Sequence, residues 1–168
     1  MQPVPLATLQ QYCDQMLSSL RPFDAVAHAL YHTMRNTGLR FEDCYNTDRW
    51  RDNGNSTFSV ATAKHSNTRT IPYSLLSPLH LQRLTNNTPH VFPYSYTQYL
   101  RYYARFFPAP RLMCRHKPIK THLFRHLKAK ELKASGVNDA NIQAYLGERQ
   151  LSSAQQYIYS TIYDAAIL

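Results

Sequence analysis

The 168-residue chain is short of several things at once, and each shortage narrows what it does. No apolar run approaches the ~18–20 residues that a membrane-spanning helix needs. The N-terminus, Met1-Gln-Pro-Val-Pro-Leu, lacks the basic-then-apolar pattern of a signal peptide. Neither a membrane-spanning nor a secretory pattern is therefore read from the sequence. Only three cysteines occur (Cys13, Cys44 and Cys114), scattered and in no CxxC pair. They exclude a disulfide framework and read as reduced thiols. There is no internal repeat, no low-complexity tract and no clear linker. Acidic residues are also scarce, 10 against 19 basic ones, for a net charge of +9.

What is present is ordinary for one folded domain: 43% hydrophobic and 17% charged residues. A chain of this length buries a core without disulfide or metal support. Lysine is the minor partner in the basic set, with 6 Lys to 13 Arg. Arginine grips phosphate oxygens with a planar fork that lysine lacks. The bias therefore fits a nucleic-acid partner. A solvated basic surface with no specific partner has the same composition, and charge alone does not decide between them.

The hydrophobic spacing predicts a first helix over residues 6–20, from Leu6, Leu9, Met16 and Leu20. Pro22 is placed in the first turn of a second helix, with Ala25, Val26, Ala29, Leu30 and Thr33 on its apolar face. That helix stops at Asn36-Thr37-Gly38, with Gly where a C-terminal cap is expected. The period then changes. Residues 56–63 alternate and are rich in β-branched types, His65-Ser-Asn is a turn, and residues 68–73 form a second strand. Lys64 falls at the tip of this hairpin. A further strand is possible over 44–50. Helices resume over 78–84, 96–107, 122–135 and 138–146, with a last one from Ser152 onward. The aromatic stretch from Tyr94 to Phe107 fits core packing better than a DNA-stacking surface. The fold class expected is α+β, a mostly helical single domain with a small antiparallel β-sheet.

Five local patterns follow in order: Thr37-Gly-Leu-Arg40 after a helix, and Lys64 at a hairpin tip eight residues before Pro72. Then come Thr121-His122-Leu-Phe-Arg125-His126 opening a helix, Leu146-Gly-Glu148 closing another, and Tyr157 nine residues later. Any one of them is weak evidence; their order and context are specific. Together they resemble the tyrosine recombinases, or phage-type integrases, over nearly the whole chain, residues 6–162. Three of the four glycines (Gly38, Gly136 and Gly147) also match positions where that family often uses glycine.

The resemblance implies the tyrosine recombinase catalytic-domain fold and a site made of Arg40, Lys64, His122, Arg125, Glu148 and Tyr157. Tyr157 would be the nucleophile that forms a 3′-phosphotyrosine link to DNA. Arg40 and Arg125 would hold the non-bridging phosphate oxygens, where negative charge builds up. Lys64 would protonate the departing 5′ oxygen, and His122 would assist proton movement or bond the phosphate. Asp43 would buttress Arg40 or be solvated, and His126 would be structural. No metal and no other cofactor is implied. His28/His32 and His122/His126 have the four-residue spacing of zinc ligands, but no third and fourth ligands accompany them. Tyr159 rivals Tyr157. On a helix the two point about 200° apart, so only one faces the phosphate, and spacing from Leu146-Gly-Glu148 favours Tyr157.

Two departures stand out. The family has His or Trp, both hydrogen-bond donors, where this chain has Glu148, which when ionised only accepts and repels phosphate. Three outcomes are open: Glu148 turns away to pair with Arg149 or another basic residue, it is protonated and donates, or the enzyme is slow or inactive. Retained but weakened activity is the expectation. The second departure is length. The chain is read as a catalytic domain over residues 1–168, without the N-terminal core-binding domain of most relatives, or as a fragment. DNA binding is then expected to be weak and strongly salt-dependent.

The function expected is a site-specific DNA recombinase of integrase or invertase type, needing neither metal nor ATP. By resemblance it would bind double-stranded DNA as a homotetramer, with accessory DNA-bending proteins as possible partners. The C-terminal segment 161–168 would dock on a neighbouring subunit. Localisation would be cytoplasmic, on the nucleoid, with no membrane partner. Two alternatives are carried: a type IB topoisomerase-like enzyme that relaxes DNA, and a non-catalytic or degenerate DNA-binding protein on the same scaffold.

Overall fold

A computed structural model describes residues 2–62, 67–108 and 111–165. Its largest apolar cluster is built by two long antiparallel helices, α1 (Leu6–Phe23) and α2 (Ala25–Thr37). They bury Leu9, Cys13, Met16 and Leu20 of one against Ala27, Leu30, Tyr31 and Met34 of the other. The boundary differs from the sequence expectation. Pro22 lies in the last turn of α1, and α2 begins at Ala25. The reason is Asp24, whose Oδ1 accepts from the backbone N–H groups of Val26 and Ala27, both at 3.0 Å, and so caps α2.

A short helix α3 (Phe41–Tyr45) follows α2, and a three-stranded antiparallel sheet runs β2 (Trp50–Asp52), β3 (Thr57–Val60) and β4 (Arg69–Pro72). The predicted hairpin is β3–β4, with Phe58 opposite Ile71, both buried. The strand expected over 44–50 lies later, because Phe41 to Tyr45 is helical and pairing starts at Trp50. Lys64 lies outside the described residues. Helices α4 (Pro78–Thr85) and α5 (Tyr96–Phe106) complete the large core. In the aromatic stretch Tyr99, Tyr102, Tyr103 and Phe107 are buried, while Tyr94 and Tyr96 are exposed. Packing therefore claims most of it, as the composition suggested.

The C-terminal part carries α6 (Leu123–Ala134), α7 (Asp139–Leu146) and α8 (Leu151–Tyr159). A second, four-stranded sheet is absent from the sequence reading. It joins β1 (Gln2–Pro3), β7 (Tyr163–Asp164), β5 (Leu112–Cys114) and β6 (Lys117–Pro118) in that order. The last strand thus sits between segments of its own chain. Ile162 is buried, its carbonyl accepts from Val4 N–H at 2.8 Å, and Ala165 N–H donates to Arg111 O at 2.9 Å. The described part of the segment expected to dock on a neighbour is engaged within the subunit, since pairing here satisfies its backbone groups. The three cysteines are free and buried, and burial pushes the Cys13 thiol up to about 12. No helix among the described residues is long and apolar enough to cross a membrane.

Candidate active site

Two glycine turns aim the charged residues. After α2, Gly38 adopts φ +69°, and a Cβ there would lie 3.0 Å from Lys128 Cβ. Only glycine meets both demands. Thr37 secures the turn, its hydroxyl accepting from Leu39 N–H at 3.1 Å and donating to Thr33 O at 2.7 Å. The chain then reverses and delivers Arg40 at the start of α3. After α7, Gly147 adopts φ +73°, and a Cβ would meet Arg69 Cγ and Asn67 O, both at 3.0 Å. Gly147 N–H bonds Ala144 O and Glu148 N–H bonds Gln143 O, a Schellman-type stop that turns Glu148 inward.

Arg40, Arg125 and Glu148 meet where these turns converge. Glu148 Oε1 accepts from Arg40 Nη2 and from Arg125 Nη2, both at 2.7 Å. Arg125, 1% exposed, also donates from Nη1 to Gly38 O at 3.0 Å and from Nη2 to Leu146 O at 2.7 Å. One guanidinium thereby ties both glycine turns together. Burial, then the nearby Arg40, holds the Arg125 pKa below its usual value. Arginine nevertheless keeps its proton at neutral pH. Asp43, fully buried, lies 3.8 Å from Arg40 and 3.5 Å from Arg49, so it does sit beneath the arginine. Glu148 does not turn away to Arg149. It fills the acceptor position that the two arginines share, because a buried guanidinium pair needs a counter-charge.

Tyr157 approaches from α8. Its hydroxyl lies 3.2 Å from His122 Nδ1, and the Arg125 guanidinium sits 5.1 Å from its ring centroid. His126 meets the same ring edge-on at 4.8 Å. Burial, then Lys130, pulls the His126 pKa to about 3, so it packs as a neutral ring at neutral pH. Tyr159 points elsewhere: it is 57% exposed, and its hydroxyl bonds both Asp139 carboxylate oxygens at 2.9 Å. The helical geometry thus brings Tyr157, and not Tyr159, to His122 and Arg125.

Two supporting residues escaped the sequence reading. Lys130 Nζ donates to Tyr157 O, Ile158 O and Ser160 O at 2.9, 3.1 and 2.7 Å. It caps the end of α8 and fixes how Tyr157 is presented. Its only sequence signal is a position five residues after Arg125. Arg69 of β4 is buried, donates to Thr37 O at 2.9 Å, and stacks 4.8 Å over Tyr145. Burial pulls its pKa down to about 10. Two residues earlier, Asn67 N–H donates to Gly147 O at 2.7 Å, so the start of β4 is joined to the Glu148 turn. Among the described residues, no group of three His, Cys, Asp or Glu side chains is placed to hold a metal ion.

No family model matches the sequence, and no curated protein does either. Solved structures do match in shape. XerA recombinase superposes with TM-score 0.64 at 15% identity, over 89% of this chain and 56% of that one. XerH site-specific recombinase bound to difH substrate in a pre-cleavage complex gives 0.59 at 16%, over 88% and 48%. XerH bound to palindromic difH in a post-cleavage complex gives 0.65 at 14%, over 98% and 51%. The chain spans about half the length of these recombinases. At such identities the likeness speaks for the fold: a mostly helical domain with small antiparallel sheets, as in the tyrosine recombinase catalytic domain.

Proposed function

We propose that this chain binds double-stranded DNA and breaks and rejoins it through Tyr157, as a site-specific recombinase. The observation that carries the reading is the convergence of a tyrosine hydroxyl, a histidine and two arginines that share one anion acceptor. In the proposed step a backbone phosphate displaces the Glu148 carboxylate from Arg40 and Arg125. Tyr157 Oη gives up its proton towards His122 and bonds to phosphorus. The bond from phosphorus to the 5′ oxygen breaks, and that oxygen leaves as a hydroxyl once protonated. Lys64 is the proposed proton donor. The arginines stabilise the charge on the non-bridging oxygens. The phosphotyrosine conserves the bond energy, so the reverse attack reseals the strand. A homotetramer on two duplexes belongs to this reading, built on surfaces other than Ile162 to Asp164 in their present pairing.

The test is a library of nicked duplexes with randomised arms, incubated with protein and screened for adducts that survive denaturation. Adducts formed by wild type and by Tyr159→Phe, and absent from Tyr157→Phe, are expected. Adducts lost only in Tyr159→Phe would overturn the choice of nucleophile. The Glu148 carboxylate in the shared acceptor position favours one second reading, a DNA-binding protein without cleavage. That reading predicts no adduct from wild type and none from Glu148→His.

A further inference from the structure

We propose that the tip of the β5–β6 hairpin, together with Lys120, grips backbone phosphates of the DNA strand next to Tyr157; this rests on the DNA reading above. The hairpin turns through two residues, Arg115 and His116, between the paired Cys114 and Lys117. Both take positive φ, 51° and 63°. A two-residue turn of this kind suits Asn-Gly, since a side chain with a Cβ is strained in the left-handed region. Here both positions carry large basic or imidazole side chains. Strain kept at an exposed tip, where an easier sequence exists, points to a use for those side chains.

Their surroundings identify the partner. Arg115, Lys117 and Lys120 are all exposed, and none has an ion-pair partner among the described residues. No Asp or Glu occurs in the sequence between Asp52 and Glu131. An open cleft of about 560 Å³ runs from Arg115, Lys117 and Lys120 to His122, His126 and Tyr157. The arms are held firmly: β5 pairs with β7, Leu112 and Ile119 are buried, and Ile119 N–H bonds Leu112 O at 2.9 Å. The cations therefore stand on a firmly held wall of the cleft that Tyr157 also lines. A polyanion lying across the Tyr157 hydroxyl meets these cations along the same cleft.

The probe is a short fluorescein-labelled duplex of arbitrary sequence, titrated with full-length protein at several salt concentrations. Arg115→Ala/Lys117→Ala/Lys120→Ala is expected to lower the slope of log affinity against log salt by about 2–3, at roughly 0.9 per phosphate contact. Arg115→Asn/His116→Gly supplies the turn's preferred residues. It is expected to match or exceed the wild-type Tm while losing about one unit of slope, a split that damage to the fold would not produce. Arg21→Ala, at the exposed end of α1, is expected to leave the slope unchanged. If wild type itself shows no salt-dependent binding, this proposal and the DNA reading fall together. If wild type binds and both hairpin variants keep its slope, or Arg21→Ala loses as much per charge, the hairpin site falls and the DNA reading stands.

Discussion

Arg40 leaves a helix packed into the large apolar core, whereas Tyr157 rides on one held by a far smaller cluster. Behind Arg40 lie Leu30, Met34, Leu39, Phe41 and the rest of the α1–α2–α5 packing. Among the described residues, the apolar cluster that Tyr157 packs against is Ala129, Ile142, Leu146 and Ile158, with partly buried Leu132, Val137 and Tyr145 at the margin. Burial of apolar area sets how firmly an element is held. The arginine seat is thus stiff and the α7–α8 arm more easily opened. In the proposed reaction, a nucleophile that must meet a phosphate, become bonded to it and release it would benefit from that difference. Arg125 is the joint between the two supports, since it bonds Gly38 on one side and Leu146 and Glu148 on the other.

Arg125→Ala should have the largest effect on this arrangement. It leaves the Glu148 carboxylate with Arg40 alone, frees the Gly38 and Leu146 carbonyls of their partner, and removes the tie between the two turns. A loss of about 3–5 kcal/mol is expected from breaking a buried ion pair on one side, read from urea unfolding, with no adduct formed. Arg125→Lys should recover little, because one ammonium cannot serve three acceptors placed for a planar fork. A stability change within about 0.5 kcal/mol, the range of an ordinary surface substitution, would mean that the two supports are not coupled through this residue.

Acid comes next. His80 in the large core, bonded to Thr33 Oγ1 at 2.9 Å, and His126 beside Tyr157 both have their pKa pulled from 6.5 to about 3 by burial. Each is neutral in the fold and takes up a proton first in the unfolded chain. Their effect on stability is therefore absent well above pH 6.5, grows as pH falls below it and levels off near 3. Between pH 7 and 5 each costs about 2 kcal/mol. His126→Gln should shrink the drop in unfolding free energy between those two pH values by about 2 kcal/mol, the share carried by His126. Exchange of the α8 amides should show the wild-type arm loosening at pH 5 before α2 does.

Lys130→Ala tests the arm alone. Losing three carbonyl partners at the end of α8 should cost about 2 kcal/mol. The effect should be local: faster amide exchange over α8, and a smaller adduct yield than wild type. Uniformly faster exchange in α2 as well would show that the arm and the core unfold as one body.

The legibility of these features follows the same division. Arg40, His122, Arg125, Glu148 and Tyr157 were readable through the ordered motifs that carry the family resemblance, and each of them sits on a helix or at a helix boundary. The helical turn showed that only one of Tyr157 and Tyr159 faces the site, and the spacing from Leu146-Gly-Glu148 favoured Tyr157. The four-stranded sheet was not readable. Its strands are two or three residues long, too short to show a period, and their partners lie at opposite ends of the chain. Pro22 was misassigned because proline suits a first turn, while Asp24 supplied the actual cap. Arg69, Lys130 and the doubly paired Glu148 depend on contacts between distant segments, which composition and spacing do not carry.

The smallest expected effect bears on the seat itself. Glu148 Oε1 already occupies the position where Arg40 and Arg125 converge, so in the proposed reaction a phosphate would compete with a carboxylate that the protein supplies. Glu148→His replaces an acceptor with a donor and removes the competitor. Cleavage of a suicide duplex should then quicken about tenfold, or about 1.4 kcal/mol of barrier. Glu148→Gln separates the two causes. It frees the arginines of a counter-charge and can also donate, but it leaves an amide oxygen able to accept from them. Its rate should fall between wild type and Glu148→His, with tighter binding of duplex at low salt. If Glu148→His cleaves no faster, the carboxylate is not the brake. Glu148 would then be part of the arginines' stiff support, needed to hold two like charges together until the phosphate arrives.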